Sequence, residues 1–115
     1  MIHETSKYKE YIVSYIRYKD MPIFDEYLNL TKKYKAEYGE KTILLYQVGS
    51  FFEVYALKDK DGKLRGSNIE DFSSINDMII AEKSKSFVGK DKIVMAGFGV
   101  AQLDKYLKKL KENGY

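Results

Sequence analysis

The stretch GSFFEVY, Gly49 to Tyr55, sets two aromatic rings side by side with a carboxylate immediately after them. Neighbouring side chains on an extended strand point to opposite faces. Phe52 and Val54 then share one face, while Phe51, Glu53 and Tyr55 share the other. One face serves a core. The other carries a ring two residues from an acid. A ring at a strand start beside a tight turn can project outward and wedge between stacked bases, as apolar side chains do in proteins that kink a duplex. A carboxylate next to it can accept a hydrogen bond from a base edge, and it repels the phosphates. The same residues also read as core aromatics beside a surface glutamate.

Other residue sets offer chemistry of their own. Lys83, Lys85, Lys90 and Lys92 flank a polar stretch that is either a solvated loop or a hairpin tip contacting phosphates. DKDG at 59–62 hints at a calcium loop, but with Gly62 in sixth place the first and last ligand positions fall on Leu57 and Asn68. A hairpin turn accounts better for Asp61-Gly62. GFG at 97–99 lacks the rest of a nucleotide-binding glycine pattern. Glu70, Asp71 and Asp77 read as a solvated helix face, since nothing sets an acid–base partner opposite them. There is no cysteine, and the single histidine, His3, lies next to the N-terminus. Thiolate or histidine metal sites and a histidine-based catalytic pair are therefore not expected.

These side chains need a scaffold. The 115 residues suit one domain with a single core. Tyr8, Tyr11, Ile12, Tyr15 and Ile16 recur at helical spacing, which predicts a helix over residues 5–19. A second helix starts at Asp20-Met21-Pro22, carries Ile23, Phe24, Tyr27, Leu28, Leu30 and Tyr34 inward, and stops at Gly39. Residues 41–57 read as two strands with a turn or bulge at Gly49-Ser50. A short helix follows, capped by Ser67 or Asn68, with Ile69, Phe72, Ile75 and Ile79 turned inward. Residues 78–82 begin a strand, KSKSFVGKDK is a loop, and KIVMAGF is again a strand. The last helix spans about 100–112, with Leu103, Tyr106, Leu107 and Leu110 on one face and Gly114 as its cap. Helices mixed with hairpins predict an α/β protein of the α+β kind, a mixed β-sheet flanked by helices.

The net charge is +3, too mild to indicate nucleic-acid binding alone, and nearly all the cations are lysines. Lysine suits phosphates better than bidentate base reading. No apolar run approaches the ~20 residues that span a bilayer, and no signal peptide is evident. The chain is expected to be soluble and intracellular, with no membrane partner.

From Met21 onward the chain resembles the N-terminal mismatch-recognition domain of MutS-type DNA mismatch repair proteins. MPIFDEYLNL is similar to that domain's opening helix. ILLYQVGSFFEVY is similar to the strand pair carrying its Phe-x-Glu motif, here Phe51, Phe52 and Glu53. VMAGF at 94–98 is similar to its Met-Ala-Gly turn, and AQLDKYLKKLKENGY to the helix after it. Ser50 departs from the acidic residue usual after the glycine, and Gly99 from the proline frequent after the turn.

The resemblance implies a MutS N-terminal domain-like fold over residues 21–115, preceded by a helical extension over 1–20. It implies a mismatch-recognition module with Phe51 as a wedge on a mispaired or unpaired base and Glu53 as the reader of that base. Lys83 and Lys85 would contact the DNA backbone. The partner would be double-stranded DNA with a mismatch or small loop. The family continues past its Gly-Tyr into a further strand, so a fragment of a larger protein is expected. ATP, magnesium and dimerisation would then belong to the parent's other domains, and this piece would be neither an enzyme nor a cofactor carrier. Its own DNA binding is expected to be weak. The alternative is a degenerate domain of the same kind used only for protein contacts, in which Phe51 packs against its own domain.

Overall fold

The computed structural model describes residues 2–4, 12–16 and 23–115, with side chains from residue 24 onward except 83–87. The strands are β1 (Ile2–Glu4), β2 (Ile12–Ile16), β3 (Ile43–Val48), β4 (Phe51–Lys58), β5 (Leu64–Arg65), β6 (Ala81–Val88) and β7 (Asp91–Gly99). The helices among the described residues are α1 (Ile23–Tyr38), α2 (Ile69–Asn76) and α3 (Leu103–Glu112), the last entered through a 3₁₀ turn at Val100–Gln102. The strands join one sheet in the order β1-β2-β3-β4-β7-β6, with β5 beside β4. Every pair is antiparallel except β2–β3. The fold is α+β.

The expected helix over residues 5–19 is corrected at its centre, where Ile12–Ile16 is strand β2, paired with β3 in parallel. Residues 5–11 and 17–19 of that expectation, and Pro22, lie outside the described residues. The run Ile-Val-Ser-Tyr-Ile consists mostly of strand formers, and pairing against β3 overrides the spacing of the tyrosines. Parallel neighbours need a long crossover, which here contains α1.

In α1, Phe24, Tyr27, Thr31 and Tyr34 are buried at helical spacing. Asp25 and Glu26 lie in its first turn and Lys35 in its last, each sign complementing the helix dipole. Gly39, at φ +106°, ends it. Against this helix stand Tyr46 of β3 and Tyr55 of β4, edge-on to Tyr27 at 5.7 and 5.3 Å between ring centres. Such an arrangement suits the ring quadrupoles, and the polar tips are satisfied. Tyr27 donates to the Leu44 carbonyl at 2.9 Å, and Tyr46 donates to Glu26 Oε1 at 2.5 Å.

The opposite face of the sheet carries α2 and α3. Phe98 of β7 packs on Phe52, on Phe72 of α2 and on Tyr106 of α3. Asp77 follows α2 in the left-handed region at φ 52° and turns the chain away. Ile79, expected inward, is consequently 88% exposed. Asn68 occupies the cap position of α2 without a capping bond. Its amide instead accepts from Lys35 and donates to the Glu40 carbonyl. KSKSFVGKDK, expected as a loop, forms most of β6, a turn and the start of β7. The register of β6 on β7 shifts between Glu82 and Phe87, an irregularity that hides period-2 alternation from a sequence reading.

The end of α3 is a Schellman motif. Tyr115 N–H bonds the Leu110 carbonyl at 3.0 Å and Gly114 N–H bonds the Lys111 carbonyl at 3.2 Å, with Gly114 at φ +91°. Tyr115 folds back into the core, and its hydroxyl donates to Asp71 at 2.9 Å. No helix among the described residues is long and apolar enough to cross a membrane.

Burial is the main reason that the phenols of Tyr27, Tyr55 and Tyr115 hold their protons well above the ordinary value of 10.0. Hydrogen bonds to Glu53 and Asp71 add to this for Tyr55 and Tyr115. The unfolded chain releases these protons from about pH 10 while the folded chain keeps them, so unfolding binds fewer protons and stability falls as pH rises. We expect full stability below about pH 9 and a steep loss of melting temperature above about pH 10. Tyr27→Phe should flatten that slope, and a melting series from pH 8 to 11 measures it.

Candidate nucleic-acid interface

The site begins at the β3–β4 hairpin. Val48 and Phe51 pair across Gly49-Ser50, a two-residue loop. Gly49 has φ +59°, and Ser50 is not left-handed. These are the φ signs of a type II′ turn, which matches the twist of the strands it joins. Val100 N–H donates to the Ser50 carbonyl at 2.9 Å, tying the hairpin tip to the entrance of α3.

From this turn β4 emerges with its alternation set. Phe52 is 6% exposed and packs on Phe98, while Phe51, on the α1 face, is 56% exposed. Tyr55 shares the face of Phe51 and is buried under Phe24 and Tyr27. Glu53 lies between the two, half-buried, and accepts a hydrogen bond at Oε1 from the Tyr55 hydroxyl at 2.5 Å. Ring and carboxylate thus stand on one face at the open end of the strand, as their spacing predicts.

The register opposite them was not anticipated from the sequence. Gly99 faces Phe51 and Gly97 faces Glu53 across the β4–β7 ladder. Two glycines leave bare backbone beside the ring and the acid. At Gly97 a Cβ would stand 2.6 Å from the Phe52 carbonyl oxygen and 3.3 Å from Glu53 Cγ. A glycine inside a strand commonly marks such a close approach, and GFG carries that signal once β7 is known to pair with β4.

Lys83 and Lys85 lie on β6, and their side chains are outside the described residues. Their strand meets β7 at Met95 and Val94 and again at Lys92 and Asp91. The lysines fall within that span, so three to seven residues along β7, roughly 10–20 Å, separate their level from Gly97 and Gly99. Lys90 and Lys92 are further still from Phe51. They border a polar cleft of about 570 Å³ with Lys58, Lys60 and Glu82, where Glu82 receives hydrogen bonds from Lys58 and Lys92. Both lysines hold the Glu82 carboxyl below its usual range. In the DKDG stretch, Asp59 accepts from the Asp61 and Lys63 amides, as a hairpin turn requires. Glu70, Asp71 and Asp77 are exposed. No group of three or more metal-ligating side chains occurs among the described residues.

Gly97→Ala should part β4 from β7 beside Glu53 and destabilise the protein by about 1–3 kcal/mol, the usual range for overpacking. Gly99→Ala should be tolerated, because a Cβ there meets nothing closer than the Ser50 carbonyl at 4.0 Å. Urea denaturation of the two variants side by side measures the contrast.

No protein-family model matches the chain, and no curated protein matches its sequence.

Proposed function

We propose that the chain is a mismatch-recognition domain of the MutS N-terminal type, reading weak points in duplex DNA with Phe51 and Glu53. Phe51 enters the stack at a mispaired or unpaired base, and Glu53 accepts a hydrogen bond from that base. The domain binds and does not catalyse. The observation that carries this reading is the exposure of Phe51, 56% against 6% for its neighbour Phe52. A domain kept only for protein contacts, with Phe51 packed on itself, has no need of that projection. The order of the elements also agrees. The helix bearing IFDEYLNL, the hairpin bearing the Phe-x-Glu motif, the strand bearing VMAGF and the helix after it follow one another in that order, and the VMAGF strand pairs with the strand that carries Phe51 and Glu53.

The energetics follow from the site. A mispaired step is cheaper to unstack and kink than a paired one, so a wedge converts duplex weakness into affinity. Glu53 repels phosphates on every duplex and is compensated only where a base donates to it. With a net charge of +3, the chain grips the backbone weakly.

The test is an NMR titration of the chain and its variants against matched and mismatched duplexes at one low salt concentration. Stacking on a base is worth about 1–3 kcal/mol by alanine substitution. Phe51→Ala should therefore lose about tenfold or more in mismatch affinity and much less on matched duplex. Glu53→Ala should raise matched affinity and flatten discrimination. If both variants keep the wild-type mismatch-to-match ratio, the assignment fails and the protein-contact role replaces it.

A further inference from the structure

The Glu53 carboxylate is not left to find its own orientation. Tyr55 is 1% exposed, and its ring is fixed by Phe24, Tyr27 and Tyr46 at 5.3–6.5 Å between centres. Its hydroxyl reaches back two residues along β4 to Glu53 Oε1 at 2.5 Å. Glu53 has Gly97 opposite it on one side and Tyr46 on the other. Tyr46 donates to Glu26 on α1, so its hydroxyl holds a different carboxylate. Tyr55 is the hydroxyl among the described residues that engages Glu53, and Glu53 Oε2 has no protein partner among them.

From this we infer that Tyr55 is the positioning residue of the reading site: by occupying Oε1 it locks the Glu53 side chain and leaves Oε2 as the oxygen presented to a base N–H. The inference rests on the proposed role of Glu53 and adds a residue that takes no part in contacting DNA. A glutamate on an exposed strand end samples several rotamers, and a ligand must select one at a cost in side-chain entropy. A buried donor held by three aromatic rings removes most of that cost before DNA arrives. The hydroxyl is suited to the task because burial, reinforced by the bond to Glu53, keeps its proton in place far above neutral pH. It can therefore serve as a donor throughout the working range.

Tyr55→Phe keeps the ring and removes the donor. Two measurements separate positioning from structure. In the free protein, the NMR order parameter of the Glu53 Cγ methylene should fall in Tyr55→Phe while the melting temperature changes little. Against DNA, Tyr55→Phe should lower the mismatch-to-match affinity ratio by about threefold or more. It should have no further effect in a Glu53→Ala background, since its influence runs through Glu53.

Glu53→Gln supplies a second arm that does not depend on the folding of Tyr55→Phe. It retains an oxygen acceptor for Tyr55 and replaces the other oxygen by a donor. It should keep the methylene ordered and lose the discrimination. Unchanged order in Tyr55→Phe, or an equal loss of ratio in both backgrounds, overturns the positioning role while leaving the reader role of Glu53 standing. A Glu53→Ala variant with the wild-type ratio overturns both.

Discussion

The pairing of β4 with β7 runs from Phe51–Gly99 to Lys58–Lys92 without a break, and the rest of the molecule is arranged about it. A strand buried on both faces has to satisfy two cores at once. Val54 and Ala56 face α2 and α3, while Tyr55 faces α1. A register slip of one residue would exchange those sets, driving Phe51 inward and Phe52 into solvent. The buried side chains along the ladder and its flanking helices therefore fix, as a by-product, which phenylalanine is presented at its end. The exposed ring needs no contacts of its own to be held in place, because its neighbours cannot move without unpacking the interior.

The tyrosines give this core an unusual chemistry. Tyr27, Tyr46 and Tyr55 are all buried on the α1 face, and each hydroxyl has an acceptor. Two of those acceptors are carboxylates, Glu26 and Glu53. A buried phenol donating to an acid resolves two problems together, since neither group could be left unpaired away from water without cost. At Glu26 the result is a helix end anchored to the sheet. At Glu53 it is a partly exposed acid anchored to the core.

Much of this was legible in the sequence, and the exceptions have physical reasons. The helix from Ile23, the turn at Gly49-Ser50, the hairpin at Asp61-Gly62 and the amphipathic last helix were written in local signals of period and turn chemistry. The opposed faces of Phe51 and Phe52 followed from strand alternation alone. Strand β2 was not legible because Tyr11, Ile12, Tyr15 and Ile16 fit a helical spacing as well, and only its partner β3 decides. Strand β6 was hidden by lysines and serines on an edge with an irregular register. The bond from Tyr55 to Glu53 joins residues two apart, yet it depends on rings from α1 and β3 holding the phenol. The role of Gly97 depends on a residue more than forty positions earlier. Local pattern identifies a site's members, whereas long-range register determines how they are supported.

The irregular register of β6 has a bearing on how the molecule behaves among its own copies. This strand ends the sheet on the β7 side, where a regular edge would offer unpaired amides and carbonyls to a neighbouring molecule. The shift between Glu82 and Phe87 interrupts that row. The segment KSKS also puts two lysines on the same stretch. A second copy docking edge to edge would meet an irregular register and the same two lysines. That end of the sheet is thus a poorer template for strand-by-strand addition than a regular edge of the same length.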